Sequence, residues 1–207
     1  MNDIPIDVFI DLPPSPEPVQ AGRLWSHFRK GRESASFEYN REWLANPYRF
    51  ALEPLLPLAD GTFHTTPGQS VFGAIGDSTP DRWGRILMRR AELARARAAN
   101  ESPRTLSELD YLLRVNDEAR QGALRFSQDG GQSFCAPPGA TPIPPLVNLS
   151  RLLHAADHFC RDDENAEDLR LLLAPGSSLG GARPKASVKD KKGNLCIAKF
   201  PRHDDEY

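Results

Sequence analysis

Residues 176–185 read Gly-Ser-Ser-Leu-Gly-Gly-Ala-Arg-Pro-Lys, and two strand-like runs, 186–188 and 195–200, follow around a turn at 190–194. A glycine-rich turn before a strand exposes backbone N–H groups and lets the chain approach phosphate oxygens closely. Lys199, on the neighbouring strand, adds a charged donor. The pattern is not a Walker A loop, because Ala182 stands in place of lysine and a strand follows. By spacing alone, a double glycine before a basic hairpin is more typical of a surface turn.

The length, charge and cysteine content of the chain limit the classes of protein to which it could belong. The 207 residues are enough for one large domain or two small ones. A net charge of -2 argues against a surface that binds nucleic acid over its whole extent. Cys135, Cys160 and Cys196 lack the paired spacing of a structural zinc site and favour a reducing, cytoplasmic setting. Without a signal-peptide pattern or a run of eighteen apolar residues, we expect neither secretion nor membrane insertion.

The first part of the chain is typical of a mixed domain of helices and strands. Residues 77–83, Asp-Ser-Thr-Pro-Asp-Arg-Trp, predict a helix with Thr79 as N-cap and Pro80 at its first position, running to about Ala98. A capping box at residues 105–108 predicts another helix. A proline-rich loop is expected at residues 12–18. The β-rich runs predict strands at residues 4–10, 22–28, 34–39 and 122–126, with Gly31 in the turn of a hairpin.

The apolar residues of the predicted helix at 80–98, among them Trp83 and Leu87, recur at three- and four-residue steps and form one stripe. We expect the arginines on its other faces to be solvated: Arg82, Arg85, Arg89 and Arg90. We expect all three tryptophans, Trp25, Trp43 and Trp83, to pack in the core of the first domain.

Residues 127–147 are rich in proline and glycine and predict a linker. Two helices are expected beyond it, at residues 149–161 and 166–173, the second capped by Asn165 and stopped by Pro175 and Gly176. The predicted fold class is therefore α+β. A mixed N-terminal domain at residues 1–126 and the linker precede the beginning of a protein-kinase-like N-lobe at residues 148–207.

The run from Ser178 to Lys185 resembles the S-x-x-G-A-x-x-K nucleotide loop of HipA-like serine/threonine kinase toxins, and Ile197-Ala198-Lys199-Phe200 resembles their lysine strand. Residues 72–85 and 110–126 resemble that family's N-terminal domain, so the resemblance covers nearly the whole chain. It implies that Ser178 is a self-phosphorylated serine, with Ser177 as a second candidate acceptor. Phosphate there would drive the loop from its pocket and silence the kinase. It also implies that the ATP phosphates contact Gly180, Gly181, Ala182, Arg183, Pro184, Lys185 and Lys199.

The resemblance further implies a type II toxin–antitoxin kinase linked to persistence, using ATP and Mg²⁺. Its γ-phosphate acceptor would be a serine or threonine of a protein, in known relatives an aminoacyl-tRNA synthetase. Its partner would be a HipB-like helix-turn-helix antitoxin, through which alone it would meet DNA. The catalytic aspartate and the metal-binding aspartate of the family would lie beyond Tyr207. We therefore assign no catalytic or metal-binding residue and expect the chain alone to be inactive.

Two alternatives to this function stay open: a non-catalytic, antitoxin-like interaction module that binds a separate kinase chain or the antitoxin, and a truncated remnant of a longer protein. A metal site at His154, His158 and Cys160 is disfavoured, because partly exposed helix histidines are common. The basic cluster of Arg183, Lys185, Lys189, Lys191 and Lys192 could touch nucleic acid, but a phosphate-facing loop and a solvated hairpin tip explain it equally well.

Overall fold

The computed structural model describes residues 5–13, 15–135, 143–176 and 180–201. Helices and antiparallel strands are mixed in it, which confirms the predicted α+β class. By their contacts, the residues form two compact units. Of the described residues, those within 1–79, 107–113 and 121–135 form the first unit, and those within 80–106, 114–120 and 136–207 form the second unit. The α-helices are α1 (Arg41–Ala45), α2 (Gly73–Gly76), α3 (Arg82–Ala98), α4 (Glu108–Leu113), α5 (Leu149–Cys160) and α6 (Ala166–Gly176).

The first unit contains a five-stranded antiparallel sheet. Its strands are β1 (Pro5–Ile10), β2 (Val19–Arg29), β3 (Arg32–Tyr39), β4 (Thr62–His64) and β5 (Leu124–Ser127), in the order β4-β3-β2-β1-β5. The four predicted strands are confirmed with ends that differ by at most three residues, whereas β4 was not predicted. Ile4, the predicted start of β1, lies outside the described residues.

The hairpin of β2 and β3 turns at Lys30 and Gly31, between the paired residues Arg29 and Arg32. Both turn residues have positive φ, 49° at Lys30 and 75° at Gly31. Two-residue turns of this kind match the right-handed twist of the strands they join, and glycine adopts positive φ without a steric cost. The predicted hairpin is therefore confirmed, with its glycine in the turn.

The core of the first unit lies on the sheet, and α1, α2 and α4 are short helices of the same unit. Its largest fully buried side chains include Phe37, Trp43, Phe72 and Phe126. The expectation that Trp43 packs in this core is confirmed. Trp25 is half-buried and is not among the residues of this core. The predicted capping box at residues 105–108 is wrong by two residues. At the start of α4, the Ser107 hydroxyl accepts from the Asp110 backbone N–H, and the Asp110 carboxylate accepts from the Ser107 N–H.

The second unit is built from three helices, α3, α5 and α6, and a two-stranded antiparallel hairpin of β6 (Lys185–Lys189) and β7 (Leu195–Lys199). Two short 3-10 helices, Asp117–Ala119 and Leu146–Asn148, belong to the same unit. The buried apolar residues of this core are Trp83, Leu87, Leu152, Ala155, Ala156, Phe159, Leu169, Leu172, Ala186, Val188 and Phe200.

Trp83 packs in the core of the second unit, so the expectation that it packs in the core of the first domain was wrong. Its ring meets the ring of Phe159 edge to face, with centroids 5.0 Å apart. The stripe of Trp83 and Leu87 was recognised correctly, since Leu87 is buried in the same core. An amphipathic pattern shows which face of a helix is buried, but it does not show which other elements that face packs against.

The start and the arginine face of α3 also differ from the predictions. The N-cap is Asp81, whose carboxylate accepts from the Arg82 backbone N–H at 2.7 Å, so the predicted cap at Thr79 was wrong. The predicted end at Ala98 is confirmed. Arg90 is not simply solvated, since it forms ion pairs with Asp162 and Glu164, and its guanidinium lies 4.1 Å from the centre of the Phe159 ring. These contacts fasten α3 to the loop between α5 and α6.

The two helices predicted after the linker are present, but the end of the second was predicted too early. Helix α5 ends one residue before the predicted end, and the Asn165 side chain caps α6 by accepting from two backbone N–H groups, those of Glu167 and Asp168. Helix α6 runs three residues further than predicted and includes Pro175. The predicted stop at Pro175 was therefore wrong, because this proline lies inside the last turn of α6 and the helix ends at Gly176.

The division into two units differs from the predicted boundary at residues 80–106 and 114–120, which the prediction assigned to the domain at 1–126. Residues 127–135 of the predicted linker belong to the first unit, where Phe134 meets Phe9 edge to face at 5.5 Å. Contacts group residues that touch, but they do not show which segments fold or function alone. The domain boundaries at 126 and 148 therefore stay predictions.

Candidate functional site

The predicted phosphate-binding residues lie at one end of the hairpin of β6 and β7. Residues 180–184 lead into β6, whose first residue is Lys185, and Lys199 is the last residue of β7. The strand register pairs Lys185 directly with Lys199. Directly opposed residues of antiparallel strands project to the same face, with Cβ atoms about 5 Å apart. The fold therefore brings both predicted lysines beside the glycine turn, which is defined here as residues 180–184.

The other face of this hairpin explains why the lysines stay together. Ala186 and Val188 alternate with Lys185 along β6 and are buried in the core of the second unit. A one-residue slip of the strand would turn these apolar side chains away from the core, so their burial fixes the register. The register in turn fixes Lys185 opposite Lys199.

The side chain of Lys185 binds the backbone of the glycine turn. Only 9% of the residue is exposed, and its ammonium group donates to the Gly180 carbonyl. Burial, and then the positive charge of Lys199, lower the pKa of Lys185 below its ordinary value. A buried cation next to a second cation favours an anion that would offset both charges.

Gly181 occupies a position that a larger residue would strain. Its φ is 86°, and a Cβ atom added there would lie 2.8 Å from Lys185 Nζ. Only glycine both adopts this φ readily and leaves room for the ammonium group. This supports the interpretation that residues 180–185 are a turn built around Lys185.

Asp81, which the sequence did not assign to the site, binds the glycine turn. Its Oδ2 accepts from the Gly181 N–H at 2.5 Å, and the Gly181 carbonyl accepts from the Trp83 N–H at 3.0 Å. The hydrogen bond from Gly181, followed by the one from Arg82, lowers the pKa of Asp81 below its ordinary value. Asp81 and Gly181 are 100 residues apart, and the sequence marked Asp81 only as an acidic residue favoured by the dipole at the start of the predicted helix.

Trp83 and Gly176 hold the start of β6 on its core side. The indole Nε1–H of Trp83 donates to the Lys185 carbonyl at 2.9 Å. At Gly176, an added Cβ atom would lie 2.8 Å from Leu87 Cδ1 and 3.0 Å from Trp83 Nε1. This close approach gives Gly176 a packing role that the sequence pattern did not reveal.

The other predicted site residues have different settings. Pro184 is buried and its carbonyl accepts from the Phe200 N–H at 2.9 Å, Ala182 is half-buried, and Arg183 is exposed. Ser177 and Ser178, the predicted phosphorylation sites, lie outside the described residues. The roles of all these residues toward a nucleotide stay predictions.

The structure adds no support for the disfavoured metal site or for the basic cluster as a nucleic-acid site. Among residues 5–13, 15–135, 143–176 and 180–201, no three or more histidine, cysteine, aspartate or glutamate side chains form a group that could hold a metal ion. His158 Nδ1 instead lies 3.0 Å from Asp168 Oδ2. The basic cluster is split, because Lys185 is buried, Lys189 pairs with Glu118, and Lys191 lies exposed in the hairpin turn.

The comparisons with known proteins give the family. The HipA N-terminal domain, as a family model, matches residues 17–127, which are more than half of the chain. No curated protein matches the chain. Within the part that the structure describes, no helix is long and apolar enough to cross a membrane. The matched range includes β2 to β5 and all of α3. The chain belongs to the HipA family.

Proposed function

We propose that the chain supplies the nucleotide-phosphate side of a HipA-type kinase, which transfers the γ-phosphate of ATP to a serine or threonine of a protein. HipA proteins are kinase-related, which supports the class of reaction. The observation that carries the proposal is the direct pairing of Lys185 with Lys199 beside the glycine turn. Two cations on one face at a turn of small residues suit a polyphosphate.

Each residue of the site has a distinct part in this proposal. Lys199, exposed at the end of β7, contacts the phosphates of the nucleotide. Lys185 donates to the Gly180 carbonyl, and so keeps the turn closed while its charge adds to the attraction. Mg²⁺, when bound with the nucleotide, would neutralise part of the phosphate charge. We assign its protein ligands to no residue of this chain.

The proposed cellular role rests on membership of the HipA family. HipA proteins generally pair with a HipB antitoxin. We propose that a helix-turn-helix antitoxin of this type binds the protein, that DNA is met only through it, and that the phosphorylated protein is of the aminoacyl-tRNA synthetase class. These proposals rest on family membership.

Calorimetric titration with ATP and Mg²⁺ tests the phosphate site. We expect the Lys199→Ala variant to bind about tenfold more weakly than the wild-type chain, because a charge-assisted contact with phosphate is lost. The matched control is Lys192→Ala, which removes the same charge from the turn at the other end of the hairpin. Its affinity should equal that of the wild type.

A failure of the wild-type chain to bind ATP, or equal losses in both variants, would contradict the proposed site. Equal losses would show that the general positive charge of the hairpin attracts ATP. A second assay, transfer of labelled phosphate to protein, tests the kinase step. We expect binding without transfer by these 207 residues, because none of them is assigned as the catalytic aspartate.

A second function, a module that binds another protein, is favoured by exposed apolar residues of the first unit. Tyr48 is 60% exposed, and Phe50, Leu55 and Leu58 are exposed near it in sequence. Large exposed apolar side chains are frequent at protein interfaces. We expect Tyr48→Ser with Leu55→Ser to weaken co-purification of the chain with a HipB-type antitoxin while ATP affinity stays unchanged. Unchanged co-purification would rule out this surface as the interface.

A further inference from the structure

We propose that Asp81 is a positioning residue of the phosphate site: its carboxylate anchors the glycine turn to the start of α3 and thereby places Lys185 and Lys199 for an anionic ligand. This inference rests on the proposed function, since it takes that same site as its object. It adds a residue that lies outside the glycine-lysine pattern and 100 positions from the residue it holds.

The anchor consists of two hydrogen bonds, both of which involve the backbone of Gly181. The Gly181 N–H donates to Asp81 Oδ2, and the Gly181 carbonyl accepts from the Trp83 N–H. Both partners come from the start of α3, and Asp81 Oδ1 is itself held by the Arg82 N–H. The peptide groups on both sides of Gly181 are therefore fixed to a seventeen-residue helix. A short turn of small residues would otherwise have many conformations.

The charge of Asp81 also acts on the lysines. Lys185 is buried next to Lys199, and the two positive charges repel one another, whereas the Asp81 carboxylate attracts Lys185. Lys185 in turn holds the Gly180 carbonyl, next to the residue that Asp81 holds. Asp81 and Lys185 thus fasten adjacent residues of the turn from two elements, α3 and β6.

The anchor changes the role expected of Gly181. Its N–H is already bonded to Asp81, so this N–H is not the donor to a phosphate oxygen while the anchor is closed. The phosphate contacts then fall to the ammonium groups of Lys185 and Lys199. A rival interpretation is that the carboxylate occupies a phosphate position and competes with the ligand, and the variants below give opposite results for the two.

The test compares two substitutions that separate anchoring from helix capping. Asp81→Asn retains one side-chain oxygen, which can accept from the Gly181 N–H, while its NH2 group replaces the oxygen that accepts from the Arg82 N–H and caps α3. Asp81→Ser instead caps a helix well but is too short to reach Gly181 in the same way. We expect ATP and Mg²⁺ to bind Asp81→Asn within about threefold of wild type and Asp81→Ser about tenfold more weakly, as loss of a charge-assisted hydrogen bond predicts. Both variants should retain the helix content of the wild type.

The matched control is Asp190→Ala, at the opposite end of the same hairpin. Asp190 accepts from the Lys192 and Asn194 backbone N–H groups, so its loss loosens a turn of β6 and β7 without touching the anchor. Its ATP affinity should stay within about twofold of wild type, because no phosphate contact is changed. Hydrogen exchange at the Gly181 amide gives a readout independent of ATP. Protection should be lost in Asp81→Ser and retained in Asp81→Asn.

The outcomes are distinct. Affinity of Asp81→Ser equal to or tighter than wild type overturns the positioning role, and a tighter value identifies the carboxylate as a competitor of phosphate. A loss in Asp190→Ala as large as in Asp81→Ser overturns it too, because any loosening of the hairpin would then suffice. If the wild-type chain does not bind ATP at all, the proposed function fails, and this inference fails with it.

Discussion

Substitution of Trp83 by alanine should selectively destabilise the second unit. Trp83 is 2% exposed, its ring packs against Phe159, and its indole N–H satisfies the Lys185 carbonyl. Truncation of a buried tryptophan to alanine costs about 3–5 kcal/mol in the free energy of unfolding. The loss of the indole donor lies within that range, since an unsatisfied carbonyl contributes about 1–3 kcal/mol when no water reaches it.

Native-state hydrogen exchange measures this cost segment by segment. A loss of about 3–5 kcal/mol reduces the protection of amides that exchange by unfolding about 10²- to 10³·⁵-fold. We expect this reduction in peptides that cover β6 of the Trp83→Ala variant. The matched variant Trp43→Ala removes a buried tryptophan of the first unit, so its largest reduction should fall in β1.

Leu93→Ala is the surface control for the same helix. Leu93 is 42% exposed on α3, and substitutions at such positions change stability by about 0.5 kcal/mol or less. A Trp83→Ala variant that loses more protection in β1 than in β6 would refute the packing argument. That result would restore the expectation that this tryptophan belongs to the core of the first domain.

Three further predictions concern packing and charge. Gly176→Ala should destabilise the chain by about 1–3 kcal/mol in urea unfolding, because the new Cβ meets Leu87 and Trp83; an unchanged midpoint would contradict the tight fit. Hydrogen bonds from Arg95 and then Arg114 lower the pKa of the buried Glu92 carboxyl. The ionised carboxylate therefore stabilises the folded protein above the ordinary pKa of glutamate, and this stabilisation is lost as pH falls through the lowered pKa of Glu92. Glu92→Gln should therefore be less stable at neutral pH and lose less stability on acidification, and parallel pH curves for both proteins would refute this. The hydrogen bond with Asp168 raises the pKa of His158, and the resulting stabilisation is present below pH 6.5 and lost as pH rises through the raised pKa. Asp168→Asn should lower the pKa of His158 in an NMR titration, and an unchanged pKa would exclude Asp168 as the cause.

Local signals in the sequence predicted most of the secondary structure. The glycine in the turn of β2 and β3, the Asn165 cap of α6 and the β-rich runs around residues 190–194 each act over a few residues, and each was confirmed. The position of Lys199 at the end of a strand was predicted for the same reason. The pairing of Lys185 with Lys199 follows once the hairpin turn is placed, because the register is counted outward from that turn.

Tertiary contacts account for what the sequence did not predict. Asp81 and Gly181 are joined across 100 residues, and Arg90 pairs with Asp162 and Glu164 although its position on α3 is typical of a solvated face. Both cases involve charged residues that were judged by their neighbours in sequence. Their partners come from elements packed beside α3, and no periodic pattern specifies those partners.

The start of α3 connects the part of the chain that shows the family with the part that carries the predicted phosphate site. Asp81 and Trp83 lie inside the matched residues 17–127, whereas Gly181 and Lys185, which they bind, lie beyond them. All four residues belong to the second unit. A fragment cut at the end of the family match would therefore leave the carboxylate of Asp81 and the indole of Trp83 without these partners. The HipA N-terminal domain, in this protein, includes structural support for the glycine turn, so the site cannot be understood from the glycine-lysine segment alone.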